Sequence, residues 1–373
     1  MKIPLGRSIA ATLSFCFASA LLLSFRPQQT VRADSPGRIV ATGNTIEPRF
    51  DHTATLLRNG KVLIAAGMAR NGVIEPDAEV YDPHTGKFTS TGSMKSPRGW
   101  GVTATLLKDG DVLIAGGGTG SECDSSCNLT TAETYDPASG TFTAVGNMTA
   151  RRAGANAARL QNGDVLIVGG DDASASGHTA TAELYHPSTR TFSATGGMHM
   201  DGANTLIPMK NGDVLALGET GGELYDPSTG RFTAASRFAI GRTKFGAAPL
   251  PDGRLLIAGG QIGGAWGPKT AATNIYDPIS GTFASGPPMK FTRFKLKKAV
   301  VPLDGGRVLI AGGAERPEIY DPASNSFLPT TGISLDSYYF STATRLLDGE
   351  VLIVGGYSRP GGAAVNRAWL YQP

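Results

Sequence analysis

The stretch Lys61-Val62-Leu63-Ile64-Ala65-Ala66-Gly67 decides the fold, because the chain keeps repeating it. It returns as DVLIAGG at Asp111–Gly117, DVLIVGG at Asp164–Gly170, DVLALGE at Asp213–Glu219, RLLIAGG at Arg254–Gly260, RVLIAGG at Arg307–Gly313 and EVLIVGG at Glu350–Gly356. Asn-Gly or Asp-Gly precedes almost every copy, a two-residue hairpin signal whose central residues tolerate positive φ. Tyr-x-Pro follows every copy, at Tyr81, Tyr135, Tyr185, Tyr225, Tyr276, Tyr320 and Tyr371. Nothing in the repeat sustains helical periodicity, so each apolar run reads as a buried strand.

Each unit divides into four short strands. In the first unit, Thr53–Leu57 turns at Asn59-Gly60 into Val62–Ala66. A variable loop leads to a strand ending at Tyr81, and Asp82-Pro83-His84-Thr85-Gly86 turns into the KFTST strand. Asp-Pro followed by Gly suits a turn, since Pro pre-sets φ and Gly takes the conformation other residues resist. Successive second strands lie 50, 53, 49, 41, 53 and 43 residues apart, the period of a four-stranded propeller blade. The chain therefore reads as all-β, a seven-bladed ring.

The apolar strand ending in two glycines, the Tyr that follows, and an aromatic seven residues later (Phe88, Phe142, Phe192, Phe232, Phe283, Phe327) resemble the kelch repeat. Kelch repeats commonly carry Trp at that last position, so this is a Phe variant. The resemblance spans about residues 36–373 and implies a secreted, bacterial-type kelch propeller with a fold like the central domain of galactose oxidase. The last unit stops at Tyr371-Gln372-Pro373, before a fourth strand. Residues 36–43 parallel the earlier turn-and-strand segment, with Ile39 in place of the Phe, so they are expected to close the last blade and remove two sheet edges.

Composition fits this reading: 50 glycines and 23 prolines in 373 residues, with 17% charged residues and 40% apolar. Residues 1–33 read as a signal peptide. Lys2 and Arg7 form a basic n-region, Ile9–Phe25 is apolar, and Val31 and Ala33 sit at −3 and −1 of a cleavage site. A retained anchor is the alternative; cleavage leaves no membrane span and places residues 34–373 outside the cell, in the periplasm or on the cell surface. It also removes Lys2, Arg7, Arg26 and Arg32, turning a net charge of +3 into −1 and removing any case for nucleic-acid binding. Cys123 and Cys127 remain in a compartment that permits disulfides and are expected to pair within one loop.

Function on such a ring is expected where loops converge on the central channel, namely those leading into first strands and those joining second to third strands. Ten residues before each hairpin turn stand Arg49, Arg152, Asp201, Arg242, Lys295 and Tyr338, with Arg98 one step off. Arginines converging on a channel mouth could clamp a carboxylate, a sulfate or an acidic peptide. Alternatively each bonds loop carbonyls or the neighbouring blade's recurrent Glu (Glu79, Glu133, Glu183, Glu223, Glu318). Long loops at Met68–Asp77, Thr119–Thr131, Asp171–Thr181, Gln261–Ala272 and Tyr357–Asn366 make one side of the face higher than the other. Trp266, Trp100, Tyr338, Tyr339 and Tyr357 are non-repeat aromatics near them, suited to sugars or peptides.

The resemblance also raises the copper radical oxidases, which need two tyrosines, one cross-linked to a cysteine, and two histidines. This chain departs from that pattern. His84 and His186 fall in the Tyr-x-Pro turns, His52 lies in a first strand, and His178 and His199 are the loop histidines. No catalytic residue, metal site or cofactor is assigned. The expectation is a binding module for a protein, peptide or carbohydrate, with a carbohydrate-active enzyme (sugar oxidase or mutarotase-like) as the alternative.

Overall fold

The computed structural model describes residues 35–69, 73–74, 76–120, 125–171, 179–200, 202–263, 267–336, 338–358 and 363–373. Residues 1–33, read above as a signal peptide, lie outside them. Among the described residues, six antiparallel four-stranded sheets and a seventh of five strands follow one another along the chain, one per repeat. In blade 1 the strands are Thr53–Leu56, Val62–Ala65, Glu79–Asp82 and Lys87–Ser90, from the channel outwards. The last blade takes Thr342–Arg345, Val351–Val354 and Ala368–Gln372 from the C-terminal end and Arg38–Ala41 from the other. Arg38–Ala41 pairs antiparallel to the final strand with Ile39 opposite Tyr371, the place Phe88 takes opposite Tyr81. Thr331–Gly332, leaving blade 6, adds a parallel pairing on the outside of that strand.

The repeated phrase is the second strand of each blade. Its residues are buried because the sheets stack blade on blade, so both faces of the strand meet apolar neighbours. The repeated Tyr of each third strand is also buried, in six blades against the Phe of the fourth strand, with ring centroids 4.8 Å apart in Tyr81–Phe88 and 5.0 Å in Tyr320–Phe327. Tyr hydroxyls bond the preceding blade: Tyr81 Oη meets Thr42 Oγ1 at 2.8 Å, and Tyr135 Oη meets Thr91 Oγ1 at 2.9 Å. In the Tyr-x-Pro turns the Asp side chain accepts from the N–H two residues on, as Asp82 Oδ1 does from His84 at 3.0 Å.

One local expectation changes. In the Asn-Gly and Asp-Gly hairpins only the Gly has positive φ (Gly60 +83°, Gly110 +109°), so the turn is not the doubly left-handed kind. Gly60 N–H donates to Leu57 O and Leu57 N–H to Lys61 O, which fits a type I turn followed by a glycine bulge. Asn59 earns its place otherwise, its Oδ1 accepting from Lys61 N–H at 3.1 Å.

Candidate functional site

The position of the arginines overturns the expectation of a guanidinium-lined mouth. Arg49, Arg98 and Arg152 are 2%, 0% and 1% exposed and lie inside their blades. Each pairs with the recurrent Glu of its own blade rather than its neighbour's: Arg49 Nε with Glu79 at 3.4 Å, Arg98 Nη2 with Glu133 at 3.0 Å, Arg152 Nε with Glu183 at 2.6 Å. The other guanidinium nitrogens reach the carbonyl where the apolar phrase meets its glycines, Gly116 O at 3.1 Å from Arg98 and Gly169 O at 2.7 Å from Arg152. The glutamate completes the clamp by accepting loop amides, as Glu133 does from Lys95 and Ser96 at 2.7 and 3.0 Å. A buried carboxylate is tolerable only when so fully bonded.

Blade 6 uses Arg293 and Glu318 in this way, at 2.9 Å, so Arg293 and not Lys295 is the counterpart of the other arginines. Three blades depart. Blade 5 sets Arg242 against Asn274, which stands in register where other blades have Glu. Without a carboxylate, burial pushes the Arg242 guanidinium down to about 10, and its Nε has no acceptor among the described residues. Blade 4 has His199, whose Nδ1 lies 3.0 Å from Glu223. Blade 7 replaces the ion pair with rings: Tyr338 packs on Trp369 at 5.2 Å, and its hydroxyl donates to Asp336 at 3.0 Å. Tyr338 is thus a blade-packing residue, 5% exposed.

The site is the mouth itself, a cavity of about 370 Å³ on the loop face. One residue from each blade lines it: Asp51, Gly101, Gly154, Gly202, Lys244, Lys295 and Phe340. All seven have left-handed backbone, with φ of +55°, +67°, +76°, +67°, +57°, +61° and +57° in that order. Glycine is the residue such a position asks for. At Gly101 nothing else fits, since a Cβ there would lie 2.1 Å from Gly154 N. Four blades nevertheless carry side chains there, each with a backbone strain of roughly 1–3 kcal/mol, and such outliers gather at ligand sites.

Hydrogen bonds join these residues around the rim. Asp51 N–H donates to Phe340 O at 3.2 Å, and Gly154 N–H to Gly101 O at 2.8 Å. Gly101 N–H donates to Asp51 Oδ2 at 2.9 Å, and Lys244 N–H to Asn204 Oδ1 at 3.1 Å. Lys295 Nζ donates to Tyr357 Oη at 2.5 Å and stands 4.2 Å over the Phe340 ring. Lys244 Nζ donates to Gln261 Oε1 at 3.3 Å; burial and the nearby Lys295 charge lower its pKa. Trp100 also lines the mouth, its indole fixed by donation to Gly120 O at 3.2 Å. Asp171 and Glu219 add carboxylates from blades 3 and 4.

Below the mouth, two lysines cross the channel. Blade 6 takes five residues from its left-handed position Lys295 to Val300, the partner of Ile310, where blade 7 takes three from Phe340 to Ala343. The extra turn projects Lys297 to Gly154 O and Ala155 O, at 3.1 and 2.9 Å, and Lys298 to His52 O at 2.9 Å and the Asp51 carboxylate at 3.6 Å. Surrounded by protein yet exposed to the lumen, Lys297 is pushed down to about 7 by desolvation and by Lys298. His52 is fully buried beside them, its Nε2 2.9 Å from Thr342 Oγ1; burial first, then Lys298 and Arg49, hold its pKa well below the ordinary 6.5.

Of the residues expected from sequence, Asp201, Trp266 and Cys123 lie outside the described residues, as does His178; Cys127 is disulfide-bonded. Lys295, which the count from the hairpin turns reached, lines the mouth. Asp51, Lys244, Lys297 and Phe340 were not expected. A signal for three of them is present in the repeat: two or three residues before each first strand, three blades read Gly while others read Asp51, Lys244 or Phe340.

No family model matches this sequence, and no curated protein matches it. Among solved structures, a fungal alcohol oxidase described as showing catalytic diversity among the AA5 family, in complex with copper, superposes with a TM-score of 0.72. The match has 19% identity and covers 91% of this chain and 77% of that one. The chain therefore has the galactose-oxidase-like kelch β-propeller fold. Among the described residues no three His, Cys, Asp or Glu side chains converge as a metal-binding group. At the mouth three carboxylates, Asp51, Asp171 and Glu219, are interspersed with three ammonium groups, Lys244, Lys295 and Lys297.

Proposed function

We propose that this chain is a secreted binding module whose ligand, a glycan in preference to a protein or peptide, sits in the channel mouth. The observation that carries this is the rim of seven left-handed positions, four of which hold side chains at a cost in backbone strain. A volume of about 370 Å³ suits one or two sugar units rather than a folded partner. Trp100 brings an aromatic ring to the cavity, and Asp171, Glu219 and Asn204 line it as hydroxyl partners. A glycan array and a peptide array, each probed with the wild type and Trp100→Ala, test this reading. Glycan signals that fall at least tenfold in the variant are expected; peptide signals alone, or glycan signals indifferent to Trp100, would overturn it.

One observation favours a second reading, a carbohydrate-active enzyme of the mutarotase kind. Lys297, under the mouth and near neutrality in pKa, is suited to exchanging protons with a sugar hydroxyl at pH 7. Polarimetry of freshly dissolved sugars with wild type and Lys297→Met decides it: acceleration that disappears in the variant supports catalysis, and none in either leaves binding alone.

A further inference from the structure

We propose that Lys297 is a nucleophile that captures a small hydroxyaldehyde in the channel, as an imine on its side-chain amine. This is independent of what the rim binds, since the groups that carry it lie below the mouth.

Lys297 lines both the mouth cavity and the lumen of about 290 Å³ beneath it, so a small molecule passing the rim meets its amine. Its Nζ donates to Gly154 O at 3.1 Å and Ala155 O at 2.9 Å, and among the described residues no carboxylate forms an ion pair with it. An uncharged amine has two N–H bonds and one lone pair. With both hydrogens given to blade 3, the lone pair faces away from those two oxygens. Lys298 differs: the Asp51 carboxylate at 3.6 Å favours its ammonium form, against the burial that lowers its pKa. Desolvation first, then the Lys298 charge, pushes Lys297 down to about 7, with Asp51 and Asp171 opposing. His52, buried beside Lys298 with a pKa well below 6.5, adds no charge at pH 7. About half of Lys297 is thus unprotonated at neutral pH, where an ordinary lysine is almost wholly ammonium.

The lumen selects the aldehyde. Thr53, Thr55, Thr103, Asn156, Thr205 and Thr342 line it, so a carbon chain bearing hydroxyls finds partners there that an alkyl chain cannot use. The Thr53 and Thr103 hydroxyls donate to Ala65 O and Ala115 O, which leaves their oxygens as acceptors. In the reaction the Nζ lone pair bonds the carbonyl carbon. The carbonyl oxygen then leaves as water with the two amine hydrogens, and the C=N bond of the imine remains. No electrons are gained or lost overall, and hydrolysis of the same bond releases the aldehyde.

The test incubates the whole chain with D-glyceraldehyde and cyanoborohydride, which traps imines as stable amines, and maps the adducts by peptide mass spectrometry at pH 7.0 and 9.5. The exposed Lys87 and Lys290 serve as internal references. Lys297 is expected to be labelled at least tenfold faster than either at pH 7.0, with the ratio shrinking at pH 9.5. Pentanal, of the same heavy-atom count but without hydroxyls, is expected to show at least threefold less preference for Lys297. Lys298→Met, which removes the neighbouring charge, is expected to slow Lys297 labelling at least threefold at pH 7.0. Labelling of Lys297 no faster than that of Lys87, or a ratio unchanged by pH, overturns the nucleophile whatever the glycan array shows. Equal preference with pentanal overturns the hydroxyaldehyde.

Discussion

Two arcs of the same rim, built on the same left-handed backbone, differ in one respect. Across blades 2–4 the repeat keeps glycine, and across blades 5, 6, 7 and 1 it places Lys244, Lys295, Phe340 and Asp51. Beneath both arcs the blades are alike, with a buried strand, in six blades a Tyr–Phe pair and, in four, an arginine clamped to glutamate. The lesson is that repetition here marks stability and departure from it marks chemistry. The arginines recur because every blade has the same glycine carbonyl and loop amides to satisfy.

The largest effect expected on breaking this contrast belongs to the clamps. Arg98→Met strands a carboxylate that is 1% exposed, and unfolding by denaturant is expected to show a loss of about 3–5 kcal/mol. Arg242→Met, facing a neutral Asn274, is expected to lose about 1–3 kcal/mol in the same measurement. Equal losses would mean that the glutamate contributes nothing special.

Next come the glycines of the open arc. Gly101→Ala drives a methyl to 2.1 Å from Gly154 N and is expected to cost about 3 kcal/mol. Gly154→Ala meets nothing within 4 Å and is expected to cost about 1 kcal/mol, from its positive φ alone. In the other arc the sign reverses: Lys244→Gly relieves left-handed strain at φ +57° and is expected to raise stability by about 1 kcal/mol, which thermal melts check.

Much of this was legible in the chain. The buried phrase, the Tyr–Phe pairs, the count of seven and the closing strand with Ile39 opposite Tyr371 follow from spacing, since a repeated hydrophobic pattern has only one way to bury itself in a ring. The site was less so. Counting back from hairpin turns finds one residue per blade, but a two-residue shift separates Arg242, facing inward, from Lys244, facing the cavity. In blade 6, moreover, the extra turn at Leu296–Ala299 moved the count from Arg293 onto Lys295. Exchanges such as Tyr338 and Trp369 for an ion pair become visible only once strands are in register.

The smallest effect concerns pH. His52 is buried with a folded pKa well below the unfolded value of 6.5, so the unfolded chain binds the extra proton as pH falls. Its contribution is fully present above pH 6.5 and is lost below it, at up to about 1.4 kcal/mol per pH unit. His52→Gln is expected to flatten the stability profile between pH 6.5 and 5. Lys297 acts in the same direction between about 7 and 10.5, weakened by its exposure to the lumen.

The division between clamp and rim is tested most directly by comparing Arg98→Met and Lys244→Met, each assayed for thermal stability and for affinity toward the glycan the array identifies, on one preparation. The expected result is a crossed pattern: Arg98→Met melts well below the wild type and, while folded, binds with wild-type affinity, whereas Lys244→Met melts at or above the wild type and loses at least tenfold in affinity. An Arg98→Met that melts normally but fails to bind would contradict it, returning the arginines to the site and the lysines to the scaffold.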